Sequence, residues 1–356
     1  MAAWRVLGGI AIGMASVIGP ACIAEVAPPA HRGRLASFQQ AAIVIGIAVS
    51  QLVNWAILDM AGGEERGEIA GLEAWQWMLG VMIVPAVVYG LMSFAIPESP
   101  RHLISVGRVD DARKVLAGVE GDIDLDARVG EIEQAMRSDH RSTFRDLLDS
   151  RSGLLPIVWI GVGLSVFQQL VGINVIFSYS NLLWQSVGVD PASSFFYSFE
   201  TSIINIIGTV IAMIFVDRLG RKPLALIGSI GMGVSLAFAA WAFSYQSGSD
   251  PLPTAQGCVA LIAANAFVLF FAMSWGVVVW VMLGEVFPNK IRAAALGVAA
   301  SAQWIANWVI TITFPDLADW NLSLTYVMYA VFAFLSIPFI VKFVPETKGK
   351  KLEEMG

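Results

Sequence analysis

Charged residues are scarce in this sequence. Only 14% of its 356 residues are Asp, Glu, Lys or Arg, whereas 56% are hydrophobic and the mean hydropathy is +0.69. A soluble domain of this length could not bury that much apolar surface, and the charges lie between long apolar runs. The composition therefore excludes a soluble globular protein and predicts an integral membrane protein.

Histidine and cysteine are also rare. The three histidines, His31, His102 and His140, lie outside the apolar runs, so no membrane segment carries a metal-binding histidine or a hydrolase base. Cys22 and Cys258 lie in or at the edge of apolar runs, where a lone cysteine is a small core residue. No Walker-type phosphate loop is present either. These absences predict no catalytic residues, no metal and no cofactor.

Nine apolar segments are long enough to cross a bilayer, since a transmembrane helix needs about 20 residues. They cover residues 3–26, 36–59, 75–96, 153–185, 193–216, 222–244, 258–284, 293–315 and 321–344. The first segment carries Arg5 and lacks a short apolar core that ends in a small-residue cleavage site. It is therefore not interpreted as a cleavable signal peptide.

Lysine and arginine lie almost entirely in alternate connections between these segments. Of the 22, all but Arg5 and Arg66 fall within 27–35, 98–151, 218–222, 290–292 or the end from 342 onward. By the positive-inside rule these connections are cytoplasmic, which places the N-terminus outside and the C-terminus in the cytoplasm. The net charge of −6 forms no basic stripe, so nucleic acid is excluded as a partner.

One motif occurs twice. Glu25-Val26-Ala27-Pro28 leads to Arg32, and Glu285-Val286-Phe287-Pro288 leads at the same offsets to Arg292. Each copy precedes two apolar segments and then Pro-Glu-Ser or Pro-Glu-Thr, which predicts two related halves with a site at their interface. The two copies are offset by 260 residues and the second half begins near residue 152, so the first half is expected to begin about 110 residues before Met1, with room for about three more helices.

Four domains follow from this pattern. We expect the remainder of an N-terminal half at 1–97, a cytoplasmic loop at 98–151, a six-helix half at 152–345 and a cytoplasmic tail at 346–356. Within the loop, 109–116 and 125–136 show apolar residues at helical spacing, which predicts two amphipathic helices. They are either a solvated linker or part of a gate.

The motifs resemble those of the sugar porter family of the major facilitator superfamily, over essentially the whole chain. The matching residues are Arg5 to Gly9, Glu25 to Gly33, Pro97 to Arg101, Gln168 to Asn174, Asp217 to Lys222, Glu285 to Arg292 and Pro345 to Gly349. The resemblance implies an all-α, polytopic membrane fold with pseudo-symmetric halves, of which about nine of twelve helices are present and the first three are missing.

The resemblance also implies a sugar site made of amides and aromatic rings. Amides donate and accept hydrogen bonds, which suits sugar hydroxyls and confers no preference for charge. Tryptophan rings suit the apolar faces of a sugar. The candidate ligands are Gln40, Gln168, Gln169, Asn174, Asn205, Trp280, Gln303, Trp304 and Asn307; the alternative is that individual amides only join helices.

Gln169 and Asn174 pose a geometric difficulty. On a straight helix they would lie about 140° apart around the axis, too far to share a ligand. Gly172 offers a place for the helix to unwind, and the resemblance implies a broken helix here. Transporters commonly use such a discontinuous helix at the membrane midplane.

A second set of polar residues lies at the cytoplasmic ends of helices in both halves. Ion pairs among them could hold an outward-open state, as the resemblance implies; the alternative is that they are interfacial charges that follow the positive-inside rule. The candidate gate residues are Glu25, Arg32, Glu98, Arg101, Asp217, Arg221, Glu285, Arg292 and Glu346.

Some positions depart from the family pattern. Ser178 precedes Tyr179 where members have a tyrosine pair, and Val277 replaces a proline after Ser-Trp-Gly, which leaves Gly276 as the expected hinge. Glu200 lies among apolar residues near the outer end of its segment, where snorkelling to the interface is favoured over a functional role.

The sequence therefore predicts alternating-access transport of a hexose or pentose in a bacterial cytoplasmic membrane. Proton symport is favoured, because Arg5 matches an arginine that pairs with a first-helix aspartate in proton-coupled members. A facilitative uniporter is the main alternative. A truncated non-transporting or sensor-like product and a porter for organic ions or drugs are the others, and an enzyme ranks last.

Overall fold

The structure is a computed structural model. It describes residues 4, 6–15, 18, 32–64, 66–120, 124–138, 143–149, 153–186, 188–246, 252–288 and 291–346. Two compact units are defined by their internal contacts: residues 1–42 with 79–140, and residues 43–78 with 141–356.

Helices make up nearly all of the described chain. They are α1 (Val6–Ala15), α2 (Arg32–Met60), α3 (Ala74–Val81), α4 (Ile83–Ala95), α5 (Pro100–Ser105), α6 (Val109–Glu120), α7 (Leu125–Ser138), α8 (Pro156–Leu170), α9 (Ile173–Ser178), α10 (Ser180–Ser186), α11 (Pro191–Leu219), α12 (Arg221–Phe243), α13 (Thr254–Ala272), α14 (Trp275–Val286) and α15 (Arg292–Phe343). A 3-10 helix covers Phe144–Leu147. The strands are β1 (Glu68–Ile69) with β2 (Leu72–Glu73) and β3 (Leu148–Asp149) with β4 (Gly153–Leu154), each an antiparallel pair.

Seven helical spans in the described residues are long and apolar enough to cross a membrane. They are Gln40–Met60, Ala74–Ala95, Pro156–Ser178, Ser193–Val216, Arg221–Phe243, Thr254–Val286 and Arg292–Phe343. These spans coincide with predicted segments two to nine, because the last one contains two of them. Half of the first predicted segment, 3–26, lies outside the described residues, and α1 lies in its described part.

The last span, α15, is two helices joined at Asn321. A straight 52-residue helix would be about 78 Å long, whereas the hydrocarbon core is about 30 Å thick. Asn321 has non-helical backbone angles, φ −166° and ψ 102°, and its Oδ1 accepts a hydrogen bond from Leu324 N at 2.9 Å. This is the arrangement of a helix N-cap, so the second arm, 322–343, begins after Asn321.

The two arms of α15 run in opposite directions. In the first arm, 292–320, Asn307 lies beside Asn174 and Thr311 beside Tyr179, so this arm runs parallel to α9. In the second arm, side chains later in the sequence contact earlier points of the chain: Tyr329 lies against Gly172, just after α8, and Phe339 lies against Gly163 on α8. The chain therefore reverses its direction at Asn321. The two arms correspond to the two separate membrane segments that the sequence predicted, 293–315 and 321–344.

The span Thr254–Val286 is interrupted between α13 and α14. Ser274, with φ −136° and ψ −90°, precedes the first residue of α14. The expected hinge at Gly276 was wrong, because Gly276 lies inside α14 and the non-helical residue comes two positions earlier. The interruption allows Ser274 to approach α12 at Gly228, where a Cβ atom on residue 228 would collide with Ser274 Oγ.

Three short helices of the first unit form a small apolar core. Leu103 and Ile104 of α5, Ala112 and Leu116 of α6 and Val129 of α7 are all buried. The two amphipathic helices predicted within residues 98–151 are confirmed as α6 and α7. Their gating role stays a prediction.

Ion pairs lie on the exposed side of α6. Asp111 accepts hydrogen bonds from Arg108 and Lys114, with closest N–O distances of 2.8 Å and 3.2 Å. These hydrogen bonds, first from Arg108 and then from Lys114, lower the pKa of Asp111 below its usual value. Asp111 therefore stays ionised at neutral pH, and these helices keep one charged face and one buried face.

Candidate functional site

The site is organised around the gap between α8 and α9. Gly172 has φ +83° and ψ 21°, a left-handed conformation that an L-amino acid with a side chain adopts only at a cost. The ring of Tyr329 fills the space against Gly172, 2.8 Å from where a Cβ atom would be. The predicted break in this helix is confirmed, and it lies at the glycine that the sequence singled out.

The break brings Gln169 and Asn174 into contact. Asn174 Nδ2 donates to Gln169 Oε1 at 2.6 Å and to Asn307 Oδ1 at 2.9 Å. Thr311 Oγ1 lies 3.4 Å from the same Asn307 oxygen. Three of the predicted ligands, from α8, α9 and the first arm of α15, therefore form one chain of hydrogen-bonded amides.

Two further predicted ligands, Gln168 and Gln303, are buried, and each lies within one helical turn of a member of the amide chain. Gln168 precedes Gln169, and its Nε2 donates to the backbone oxygen of Trp275 at 2.9 Å. Gln303 lies one turn before Asn307 on the same face of α15. In the described part of the protein, Gln168 Oε1 and Gln303 Oε1 are buried and have no hydrogen-bond partner. A buried acceptor without a partner is costly, so a bound hydroxyl group would stabilise both.

The remaining four predicted sugar ligands are not joined to the amide chain by the described hydrogen bonds. Asn205 is buried on α11, whereas Trp280 on α14 and Trp304 on α15 are 37% and 46% exposed. Among the described residues, no hydrogen bond joins these three side chains to the amide chain. Gln40 is half-buried on α2 in the other compact unit, so its place in a shared site stays a prediction.

The amide chain has no charged partner among the described hydrogen bonds. Gln169, Asn174 and Asn307 contact one another or Thr311, and Gln168 contacts a backbone carbonyl. Glu200, an acidic residue in the span Ser193–Val216, is exposed on α11, and its snorkelling to the interface stays a prediction. A group of uncharged donors and acceptors suits a neutral, hydroxyl-rich solute and would not stabilise an isolated ion.

A second polar group joins the ends of three helices, α12, α14 and α15. Arg221 forms a bidentate ion pair with Glu285, with Nη2–Oε1 at 2.8 Å and Nε–Oε2 at 3.1 Å. The carboxylate of Glu346 accepts hydrogen bonds from the backbone N–H groups of Arg221 and Lys222, at 3.1 Å and 3.0 Å. A carboxylate at this place is favoured because it faces the positive N-terminus of α12.

Other members of the predicted gate are only partly described. Arg292 Nε donates to Phe287 O at 3.2 Å, within the turn that precedes α15. Glu98 is exposed and Arg101 is half-buried at the start of α5 in the first unit. Glu25 lies outside the described residues, and so do the side chains of Arg32 and Asp217; the same holds for Arg5, the predicted proton-coupling residue.

Sequence reasoning missed three contacts in these groups. It did not find that Trp275 holds Gln168, that Tyr329 fills the gap behind Gly172, or that Arg221 pairs with Glu285. Only the Arg221 contact had a signal in the sequence, because both residues belong to motifs that were predicted to lie at cytoplasmic helix ends. The other two join residues more than 100 positions apart that no local pattern connects.

Comparisons with known proteins give one consistent result. The chain matches the family model described as Sugar (and other) transporter over residues 1–356. It is 52% identical to the Glucose transport protein of Synechocystis sp. over 357 residues, 99% of this chain and 76% of the relative. It is 38% identical to the D-xylose-proton symporter of Escherichia coli K12 over 362 residues, 99% of this chain and 70% of the relative.

A solved structure has the same fold. It is that of the major facilitator superfamily proton:xylose symporter XylE bound to 6-bromo-6-deoxy-D-glucose, with a TM-score of 0.79 and 36% identity. The match covers 99% of this chain and 72% of that one. The protein is thus a polytopic α-helical membrane protein of the major facilitator superfamily. It belongs to the sugar porter family, which consists of transporters and not of enzymes.

Proposed function

We propose that this protein carries a monosaccharide, a hexose or a pentose, across the membrane by alternating access and together with protons. The observation that carries the proposal is the chain of uncharged amides around Gly172, together with the two open acceptors on Gln168 and Gln303. The names of the relatives support the same substrates, because one is a glucose transport protein and another a D-xylose-proton symporter.

The proposal extends to the other predicted ligands and to the arrangement of the chain. Gln40, Asn205, Trp280 and Trp304 would complete the sugar site, with the two rings against the apolar faces of the sugar. The halves 1–97 and 152–345 would move against each other, joined by the 98–151 loop and followed by the tail 346–356. The membrane would be the bacterial cytoplasmic membrane, with the C-terminus in the cytoplasm.

The amide group supplies the first test. In the natural full-length protein, Gln169→Ala, Gln168→Ala and Asn174→Ala should each weaken sugar binding about 2- to 12-fold, because each removes one or more hydrogen bonds. Isothermal titration with D-glucose and D-xylose measures the affinity, and uptake into proteoliposomes measures KM.

A matched control is available on α13. Asn265 is also an amide within a membrane span, and its Oδ1 accepts a hydrogen bond from Thr201 at 2.9 Å, away from the amide chain. Asn265→Ala should leave sugar affinity unchanged even if it lowers the melting temperature. Unchanged affinity in all three site variants would remove the amide chain from the sugar site.

Proton coupling requires its own measurement. Arg5 is the proposed coupling residue, and the proton in the name of the Escherichia coli relative supports symport. Proteoliposomes that contain a pH-sensitive dye should acidify inside when sugar is added outside, and Arg5→Ala should abolish the signal. Sugar uptake without any acidification in the unmodified protein would instead indicate a facilitative uniporter.

A further inference from the structure

Trp275 is a fully buried tryptophan at the start of α14, and it is connected to the sugar site through Gln168. Its backbone oxygen accepts the hydrogen bond from Gln168 Nε2, while its indole Nε1 points to α12. There Nε1 lies 3.1 Å from Ala225 O and 3.0 Å from Ser229 Oγ. One residue therefore contacts a candidate sugar ligand with its backbone and a neighbouring helix with its side chain.

The contacts on α12 continue to the end of the chain. Ser229 Oγ lies 3.0 Å from Ala225 O and 2.7 Å from Ser336 Oγ, which lies in the second arm of α15. Ser229, Trp275 and Ser336 are all fully buried. We call the group of Trp275, Ser229 and Ser336 the indole anchor. It joins α14, α12 and α15 by hydrogen bonds, which are strong constraints where no water competes.

The backbone around Trp275 is shaped to allow this arrangement. Ser274 interrupts the helix directly before Trp275, and Gly228 on α12 lets Ser274 approach so closely that no side chain would fit on residue 228. The Cδ1 atom of Trp275 would lie 3.2 Å from a Cβ atom at the same position. The place of the Trp275 carbonyl is therefore set by close packing as well as by the indole hydrogen bonds.

The Trp275 carbonyl decides how the Gln168 amide is oriented. A carbonyl can only accept, so it selects the rotamer with Nε2 toward it and leaves Oε1 on the other side. Oε1 is the buried acceptor that has no partner in the described part of the chain. This orientation leaves Gln168 with an acceptor oxygen that suits the O–H donor of a sugar hydroxyl.

We propose that Trp275, held by Ser229 and Ser336, is a positioning residue that orients the Gln168 amide for sugar binding. This inference rests on the proposed sugar site. Trp275→Phe keeps the backbone carbonyl but removes the indole N–H, so the carbonyl is less well placed. Sugar affinity should fall about three- to tenfold, the range expected for the loss of hydrogen-bond geometry at one ligand.

A double-mutant cycle separates positioning from general stability. The affinities of the natural full-length protein, Trp275→Phe, Gln168→Ala and the double variant are measured by isothermal titration with D-glucose or D-xylose, whichever the unmodified protein binds more tightly. If Trp275 acts through Gln168, Trp275→Phe changes affinity less than about twofold once Gln168 is alanine. An equal loss in both backgrounds would show that Trp275 only stabilises the fold, and would overturn the proposal.

Two more variants keep the test decisive. Ser229→Ala removes a side-chain acceptor of the indole with little change in volume. It should lower sugar affinity in the same Gln168-dependent way as Trp275→Phe, and it replaces that variant in the cycle if Trp275→Phe fails to fold. Trp241→Phe is the matched control, because the Trp241 ring is 47% exposed and packs on Tyr245 outside the anchor. It should leave affinity unchanged.

The outcomes for the two proposals differ. If the unmodified protein binds neither sugar, the proposed function falls, and the positioning role falls with it. If the sugar binds and the cycle for Trp275 is additive, only the positioning role falls. If Trp275→Phe and Ser229→Ala both leave sugar affinity unaltered, the positioning role of Trp275 is likewise overturned while the proposed function stands.

Discussion

Replacing Gly172 with alanine is expected to weaken sugar binding more than about tenfold and to abolish transport. The left-handed backbone at residue 172 costs about 1–2 kcal/mol for an L-amino acid with a side chain. The new Cβ atom would also lie 2.8 Å from Cδ2 and Cε2 of the buried Tyr329 ring, so the ring or the backbone must move. Either movement separates Gln169 from Asn174, whose hydrogen bond depends on the break.

Sugar titration and thermal unfolding measure the two parts of this prediction. Gly153→Ala is the matched control, since Gly153 has φ +76° but open space where its Cβ atom would be, with no neighbouring atom within 4 Å. It should lower stability only by the backbone cost and leave affinity unchanged. Adding Tyr329→Leu to Gly172→Ala should restore part of the binding by making room for the methyl group. Wild-type affinity in Gly172→Ala would show that the site does not depend on the break.

Replacing Arg221 with alanine is expected to shift the protein toward its inward-open state and to lower its melting temperature. The Arg221 side chain is 12% exposed and that of Glu285 is 29% exposed, so the variant leaves a carboxylate in a partly buried place without its bidentate partner. Partial exposure reduces the cost of a fully buried pair, and we expect about 1–3 kcal/mol. Arg221 also begins α12, so the end of this helix would loosen.

The shift in population cannot exceed the difference in stability of these contacts between the two states. To measure the shift, Cys22 and Cys258 are first replaced and single cysteines are introduced at the outer and inner ends of the helices. The labelling rates of these cysteines then report the populations of the outward-open and inward-open states. Glu285→Gln and Arg292→Ala should act in the same direction, because each removes one charge of the proposed gate.

Two controls accompany this prediction. Lys222→Gln removes a positive charge next to Arg221, but among the described residues the Lys222 side chain donates to Val341 O and to no carboxylate of the proposed gate, so labelling should not change. Exchanging the charges, with Arg221→Glu and Glu285→Arg together, should restore part of the unmodified pattern. Outward-biased labelling in Arg221→Ala, Glu285→Gln and Arg292→Ala would show that these charges serve topology and packing and take no part in a gate.

Much of the membrane topology could be predicted from the sequence, because each apolar segment has to satisfy its own backbone hydrogen bonds inside the bilayer. This local requirement explains why the predicted segments coincide with the described spans and why two segments inside one 52-residue helix could be recognised. It also explains why Gly172 could be identified, since the left-handed backbone there requires glycine. The short strands β1 to β4 were not predicted, because two-residue pairs leave no pattern.

Partner choice could not be predicted in the same way. The sequence predicted Arg221 and Glu285 at cytoplasmic helix ends but did not pair them with each other, because pairing depends on how α12 and α14 lie side by side. The hinge near Gly276 was wrong for a related reason. Glycine permits a bend, but the break follows the contact that Ser274 makes with α12 at Gly228.

The sequence by itself determined the class of protein, the membrane segments, the family and the residue types of the site, since these follow from hydropathy, charge bias and short motifs. Only the tertiary structure decided which amides touch, which acceptors stay open and which buried groups hold them. Those properties arise from contacts such as Asn174 with Asn307 and Trp275 with Ser229, in which helices distant in the chain meet. Hydrogen bonds require distances within a few tenths of an ångström, and no pattern along the chain specifies them.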